Sequence, residues 1–270
     1  MASTRLNAAF ERAQAEGRVA LITYVVPGHP SPSETPAIFD AMVEGGADIV
    51  EVGIPFSDPL ADGATNQRVA FEALANGTTP AACIEFARVT RARHADTPIV
   101  FMTYLNLVLA YGVERFARDA GAAGADGAIL VDLPPEEAAP FQESFNAHGL
   151  DIVFMVAPTS SDERLRLICA GARGFIYCVS VAGVTGARSA MPADLRHFLS
   201  RVRRCTSLPL AVGFGMSRRE HIDALAGIAE AAVVASAIMD LVNASLPGTR
   251  AAAVREYVET LSGRRLAQQI

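Results

Sequence analysis

The sequence predicts an α/β chain folded as a (β/α)8 TIM barrel with an extra helix ahead of the first strand. Short aliphatic or β-branched segments recur eight times along 270 residues, near 19–26, 48–53, 98–104, 127–131, 151–156, 174–179, 208–213 and 231–235. Each is followed by an Ala-, Glu- and Arg-rich stretch of helical character, the alternation that gives a parallel sheet wrapped by helices. One of the strands also carries a carboxylate, Glu51, inside the apolar run Ile49-Val50-Glu51-Val52-Gly53.

Ahead of the first strand, Leu6, Phe10 and Ala13 at i, i+4 and i+7 predict an amphipathic helix over 3–16 that covers the bottom of the barrel. In the second strand, alternation places Ile49, Glu51 and Gly53 on one face and Val50 and Val52 on the other. A parallel sheet is buried on both faces, so Glu51 points into an interior where an unpaired charge is costly. A satisfied structural carboxylate is the plain alternative. The loop that follows bears Asp58 and Asp62 off the C-terminal end of the strand, where barrels of this kind place catalytic groups. Extra length from 56 to about 79, and again from 180 to about 191, predicts functional loops, because a barrel junction needs only a few residues. Gly183 and Gly186 lie after the sixth strand, Gly213 and Gly215 after the seventh, and Ala235-Ser236 opens the helix after the eighth. Glycines and a helix N-terminus at that place suit a phosphate. Taken alone, Asp62 before Gly63 also reads as a turn residue, and the glycines as tight turns.

A hydrophobic fraction of 51% with no low-complexity tract predicts one globular domain over 1–270. No apolar run nears the roughly 20 residues that cross a bilayer, and Met1-Ala2-Ser3-Thr4-Arg5 leads straight into an amphipathic pattern, so a cytoplasmic protein without membrane partners is expected. Cys83, Cys169, Cys178 and Cys205 are scattered, with no C-x-x-C spacing, and read as reduced residues holding no metal. A net charge of −6 speaks against nucleic acid, and Arg201, Arg203 and Arg204 read as a solvated helix face.

The run from Ile49 to Gly63 resembles the signature of the tryptophan synthase alpha subunit family. The order of motifs follows that family from Leu21 to about Val242: Met102-Thr103-Tyr104, Val131-Asp132-Leu133-Pro134-Pro135-Glu136-Glu137, Val156-Ala157-Pro158-Thr159, Gly183-Val184-Thr185-Gly186-Ala187-Arg188 and Gly213-Phe214-Gly215-Met216-Ser217. The resemblance implies a lyase that splits indole-3-glycerol phosphate into indole and glyceraldehyde 3-phosphate. It implies Glu51 as the acid/base group, Asp62 as the carboxylate on the indole N–H, and Thr185 as a loop hydroxyl that orients Asp62. Gly186, Gly215, Ala235 and Ser236 match the phosphate contacts, and Tyr24, Met102, Leu130, Phe154, Tyr177 and Phe214 are the inward-facing candidates for an apolar lining. The implied partner is a beta subunit in an α2β2 assembly. No cofactor is implied for this chain; pyridoxal phosphate would belong to the beta subunit. A stand-alone indole-releasing lyase and a non-catalytic regulatory subunit are the competing readings.

The chain departs from the family at several loops. His29 replaces Asp and Val26 replaces Thr in the turn after the first strand, which is expected to remove polar contacts there. Ala64 and Asn66 replace Pro and Ile after Asp62, Ala182 replaces a polar or basic residue, and Ala235 replaces Gly before Ser236. A methyl at 235 costs about 1 kcal/mol or more if that position needs a positive φ.

Overall fold

The computed structural model describes residues 4–179, 193–213 and 215–263. Eight parallel strands, β1 (Ala20–Val25), β2 (Ile49–Gly53), β3 (Ile99–Thr103), β4 (Gly127–Leu130), β5 (Asp151–Val156), β6 (Ile176–Val179), β7 (Leu210–Gly213) and β8 (Ala231–Val234), pair in chain order. β8 pairs with β1 and closes the barrel. Around it, among the described residues, run α1 (Thr4–Ala15), α2 (Thr35–Gly45), α3 (Ala64–Ala75), α4 (Pro80–Arg93), α5 (Leu105–Tyr111), α6 (Val113–Ala122), α7 (Ala139–Ala147), α8 (Asp162–Gly171), α9 (Ala193–Arg203), α10 (Arg219–Asp223), α11 (Ser236–Ala244) and α12 (Arg250–Ser262). None is long and apolar enough to cross a membrane.

Local chemistry sets several of the helix ends. Pro80 fills the first position of α4, while the Thr79 side chain accepts from the Ala82 N–H at 3.2 Å; Ser161 caps α8 in the same way through the Arg164 N–H. α2 stops at Gly46, whose φ of +106 lies where glycine is favoured. The segment expected as a long loop after β2 contains a whole helix, α3. Its run of Val69, Ala70 and Ala73 has a face to bury, so only about ten residues remain as loop.

Alternation along the strands divides the core into two shells. Ile22, Ile49, Val100, Ile129, Val153, Phe175 and Ala211 fill the lumen, and α1 plugs its lower end with Leu6, Ala9, Phe10 and Ala13. Phe10 meets Phe175 with ring centroids 5.8 Å apart. Leu21, Val50, Val52, Phe101 and Val212 point the other way, into the layer beneath the helices. Leu130 and Phe154 belong to that outer shell, which corrects the expectation that they face inward. On β4 the lumen position is Ile129, and on β5 it is Val153, one residue away in each case.

Buried carboxylates brace the lower rim. Asp126 receives Arg91 at 2.9 Å and Arg5 at 2.8 Å, and accepts the Ile99 N–H at 2.9 Å. The basic cluster on α9 is less free than expected. Arg201 pairs with Asp162 at 2.8 Å and donates to the Pro158 and Ser160 carbonyls, while Arg203 reaches Glu230 and the Leu208 carbonyl, so both tie loops to the barrel.

Candidate active site

Glu51 lies on the lumen face of β2, fully buried, directly across from Tyr24 of β1 in the strand register. Neither carboxylate oxygen has a hydrogen-bond partner among the described residues. Burial alone pushes its pKa up to about 8, because the ionised form has lost its water and found no counter-charge. At neutral pH it is mostly a neutral acid with a proton to give.

Tyr24 and Tyr177 flank it. Burial raises both phenols well above their ordinary range; the charges of Asp62 and Glu51 add to that on Tyr24, and those of Glu51, Tyr24 and Asp62 on Tyr177. Each ring is admitted by a glycine on the next strand. A Cβ on Gly53 would lie 2.2 Å from the Tyr24 hydroxyl oxygen, and one on Gly213 would lie 2.4 Å from that of Tyr177. The two glycines let the rings lie against bare backbone.

Asp62 enters from the loop between β2 and α3. Tyr104, just past the end of β3, donates its hydroxyl to Asp62 Oδ2 at 2.8 Å, and the Tyr104 hydroxyl oxygen in turn accepts the Ala61 N–H at 2.9 Å. Gln67 holds the loop by donating to the Asp62 carbonyl at 2.9 Å. Burial raises the Asp62 pKa, and hydrogen bonds from Tyr104 and Asn66 oppose that rise. Asp62, Asn66, Tyr24, Met102 and Tyr104 line one narrow cleft. Asp58 is exposed on the loop and takes no part in it. Asp132 is used structurally, accepting the Leu105 N–H at the start of α5.

Gly215 sits after β7 with φ +76, in the left-handed region that favours glycine. Ala235 caps α11 at φ −111, so the methyl at this position meets no left-handed strain. The Ala235 carbonyl accepts from Ile238 and Met239, and the first N–H groups of the helix have no carbonyl of their own to bond. α3 is tied to this helix, because Thr65 donates to Asp240 of α11 at 2.9 Å and Arg68 reaches it at 3.3 Å. Thr185, Gly186, Ala182 and Phe214 lie outside the described residues.

His29 is buried, and its Nδ1 lies 3.0 Å from a Glu72 carboxylate oxygen on α3. The approach is close, though off the angle of a hydrogen bond. The turn after β1 therefore keeps a polar neighbour despite the loss of the aspartate. A roomier cleft between α1 and the segments before β7 and β8 is lined by Asn7, Gln14, Ser207 and Glu230, but lies at the opposite end of the barrel. Among the described residues no group of three or more His, Cys, Asp and Glu side chains is placed to hold a metal ion.

The sequence gives no role to Tyr104 or Gly53, although Tyr104 stands just past the end of β3. A phenol there can reach only what the neighbouring loop brings over it, and that contact is not written in the spacing.

Comparison with known proteins agrees with this geometry. A family model described as tryptophan synthase alpha chain matches residues 10–268. The tryptophan synthase alpha chain of Roseiflexus castenholzii is 48% identical over 260 residues, covering 96% of this chain and 100% of the relative. A Mycobacterium tuberculosis tryptophan synthase structure superposes with a TM-score of 0.88 at 35% identity, covering 97% of this chain and 98% of the other. A Pyrococcus furiosus structure, described as the structural basis of mutual activation of the tryptophan synthase α2β2 complex, gives 0.85 at 38% identity over 91% of this chain and 99% of that one. A closed barrel with a lumen glutamic acid that has no partner among the described residues, and an aspartate held over its mouth, thus accompanies near-complete sequence coverage, and the chain belongs to the tryptophan synthase alpha chain family.

Proposed function

We propose that this chain cleaves indole-3-glycerol phosphate to indole and glyceraldehyde 3-phosphate as the alpha subunit of tryptophan synthase. The observation that carries the reading is Glu51, a lumen carboxyl without a partner among the described residues and with a pKa near neutrality. A general acid works best when its pKa lies near the working pH.

The chemistry follows from the placement of the groups. Glu51 gives its proton to C3 of the indole ring, and the positive charge that appears at the ring nitrogen is met by the Asp62 carboxylate. Glu51, now ionised, accepts the proton of the hydroxyl on the carbon attached to C3. The bond between that carbon and C3 breaks, its electron pair restores the aromatic ring, and the carbon becomes the aldehyde. Glu51 ends the cycle protonated, as it began. Tyr24, Met102 and Tyr177 are the apolar walls in this account, with Phe214 as a further wall and Thr185 as the hydroxyl that orients Asp62. Gly186, Gly215, Ala235 and Ser236 hold the phosphate.

Pyridoxal phosphate belongs to the beta subunit, and the partner is a beta dimer in an α2β2 assembly. The four free thiols support a reducing, cytoplasmic setting. The closed barrel supports a single domain over 1–270. The test is direct: purified chain is incubated with indole-3-glycerol phosphate and indole is measured. Indole released by the wild type and not by Glu51→Gln is expected; equal release by both would discard the assignment of Glu51.

A further inference from the structure

Gln67 stands in the first turn of α3, five residues after Asp62, and its side chain turns back onto the loop it follows. Its Nε2 donates to the Asp62 carbonyl at 2.9 Å and to the Pro59 carbonyl at 3.4 Å. Carbonyls only accept, so the NH2 end of the amide is the end that faces them. The two carbonyls belong to the first and last residues of one turn, which the Asp62 N–H closes on the Pro59 carbonyl at 3.0 Å.

The turn is therefore gripped from two elements. Tyr104 holds the Ala61 N–H and the tip of the Asp62 carboxylate, while Gln67 holds the backbone behind that carboxylate. The element that carries Gln67 is itself anchored: Val69 and Ala73 are buried in the layer between helices and barrel, and Thr65 and Arg68 tie α3 to Asp240 of α11. Asp62 lines the cleft with Tyr24 and Met102, and Gln67 does not. Whatever Gln67 does for a bound molecule, it does through Asp62.

We propose that Gln67 is a positioning residue: by tying the Pro59–Asp62 turn to α3, it sets the Asp62 carboxylate where positive charge appears at the ring nitrogen. The proposal rests on the lyase reading. Charge that develops only in the transition state is met best by a group already in place, because no reorganisation then accompanies the chemistry. Without the amide the Tyr104 bond remains, but a contact at the carboxylate tip leaves the peptide behind it free to pivot. Misplacing a catalytic group by about 1 Å can cost about 10²-fold in rate.

The experiment uses the full chain with Gln67→Met, which keeps the length and removes the donor, and Gln67→Lys, which restores an N–H donor at similar reach. Gln67→Met is expected to lower kcat about tenfold, the scale of one lost hydrogen bond, with KM and calorimetric affinity for glycerol 3-phosphate near wild type. Gln67→Lys should recover part of that loss. Added to Asp62→Asn, Gln67→Met should cost less than about twofold, because the carboxylate it serves is already gone. The Leu60, Ala61 and Asp62 amides, bonded to the Asp58 carbonyl, the Tyr104 hydroxyl and the Pro59 carbonyl, should exchange with solvent about tenfold faster in Gln67→Met. An unchanged kcat in Gln67→Met, or an equal loss with and without the Asp62 carboxylate, overturns the proposal. A wild type that releases no indole would instead remove the lyase reading; unchanged exchange of the three amides would then still overturn the anchor, and faster exchange would uphold it. Should Gln67→Met fail to fold, Gln67→Ala carries the same readouts.

Discussion

Asp48 and Glu51 are three residues apart and equally hidden, with exposures of 3% and 0%, yet only Asp48 meets an arginine. Arg18 donates to both of its oxygens, one at 2.8 Å, and the Leu21 N–H adds a third bond. Asp48 lies before β2, at the bottom rim where side chains from neighbouring loops converge; Glu51 lies within the strand, facing a lumen of apolar groups and two phenols. The same chemistry is structural just before the strand and available for reaction within it.

Glu51→Gln should therefore reduce indole release by at least about 10²-fold, the usual scale of general acid–base catalysis. It should also change the pH dependence of stability. Between the ordinary Glu pKa of 4.5 and the folded value of about 8, the folded chain holds a proton that the unfolded chain has released, so wild-type stability from this group is full below that window and declines as pH rises through it. Every tenfold difference in proton affinity between the folded and unfolded chain corresponds to about 1.4 kcal/mol. The amide cannot ionise and removes the decline. Thermal unfolding at pH 5 and pH 8 checks this: the variant should gain on the wild type at pH 8, and an equal pH slope in both would count against a buried, ionisable Glu51.

Tyr104→Phe keeps the ring against Phe56, whose centroid is 5.2 Å away, and deletes only the hydroxyl that donates to Asp62. That bond opposes the rise in Asp62 pKa caused by burial, so its loss should let the carboxylate protonate at higher pH. The acidic limb of kcat/KM is expected to move upward, with a fall of about five- to tenfold at neutral pH, on the scale of one hydrogen bond to a charged group. An unchanged limb would show that Tyr104 serves the Ala61 backbone alone.

Gly213→Ala would place a methyl carbon 2.4 Å from the Tyr177 hydroxyl oxygen and 2.7 Å from two of its ring carbons. The ring must leave its position beside Glu51, because its backbone neighbour cannot give way inside a paired strand. Overpacking of this kind costs roughly 1–3 kcal/mol of stability. Chemical denaturation and indole release measured together should both decline, and a variant with full activity would separate Tyr177 from the reaction.

Ala235→Gly tests the phosphate end. With φ at −111, alanine is unstrained there, so only backbone N–H groups serve the anion and the methyl is incidental. Calorimetric titration with glycerol 3-phosphate should give equal affinities. A marked loss would make the methyl part of an altered site.

Much of this was legible in the sequence because periodicity reports faces. All eight strands fall inside the expected spans, and the parity of Ile49, Glu51 and Gly53 is enough to aim Glu51 at the lumen. Leu130 and Phe154 were not legible in the same way. A strand buried on both sides is apolar at every position, so hydrophobicity cannot choose between Leu130 and Ile129, and only the register of the closed barrel does. Tyr104 was hidden for another reason: it acts on Asp62 from a different element, and contacts between loops depend on where the barrel carries their ends.

The last prediction concerns the partner. The loop after β2 carries Asp62, and with it the exposed Leu60, on the same face of the barrel as the strand ends that surround Glu51. The Asp62 carboxylate is held by the Tyr104 hydroxyl, and a partner surface that covers this loop shifts the population toward the closed form. The isolated chain is expected to be a weakly active monomer. With its cognate beta dimer it should form an α2β2 assembly in sedimentation and gain about tenfold or more in indole release, since coupling of this kind is commonly about 1–3 kcal/mol. High indole release from the chain alone, unaltered by a beta subunit and with no complex in sedimentation, would favour the stand-alone lyase. In that case the hydrogen bond of Tyr104 to Asp62 would be read as the means by which the site closes unaided.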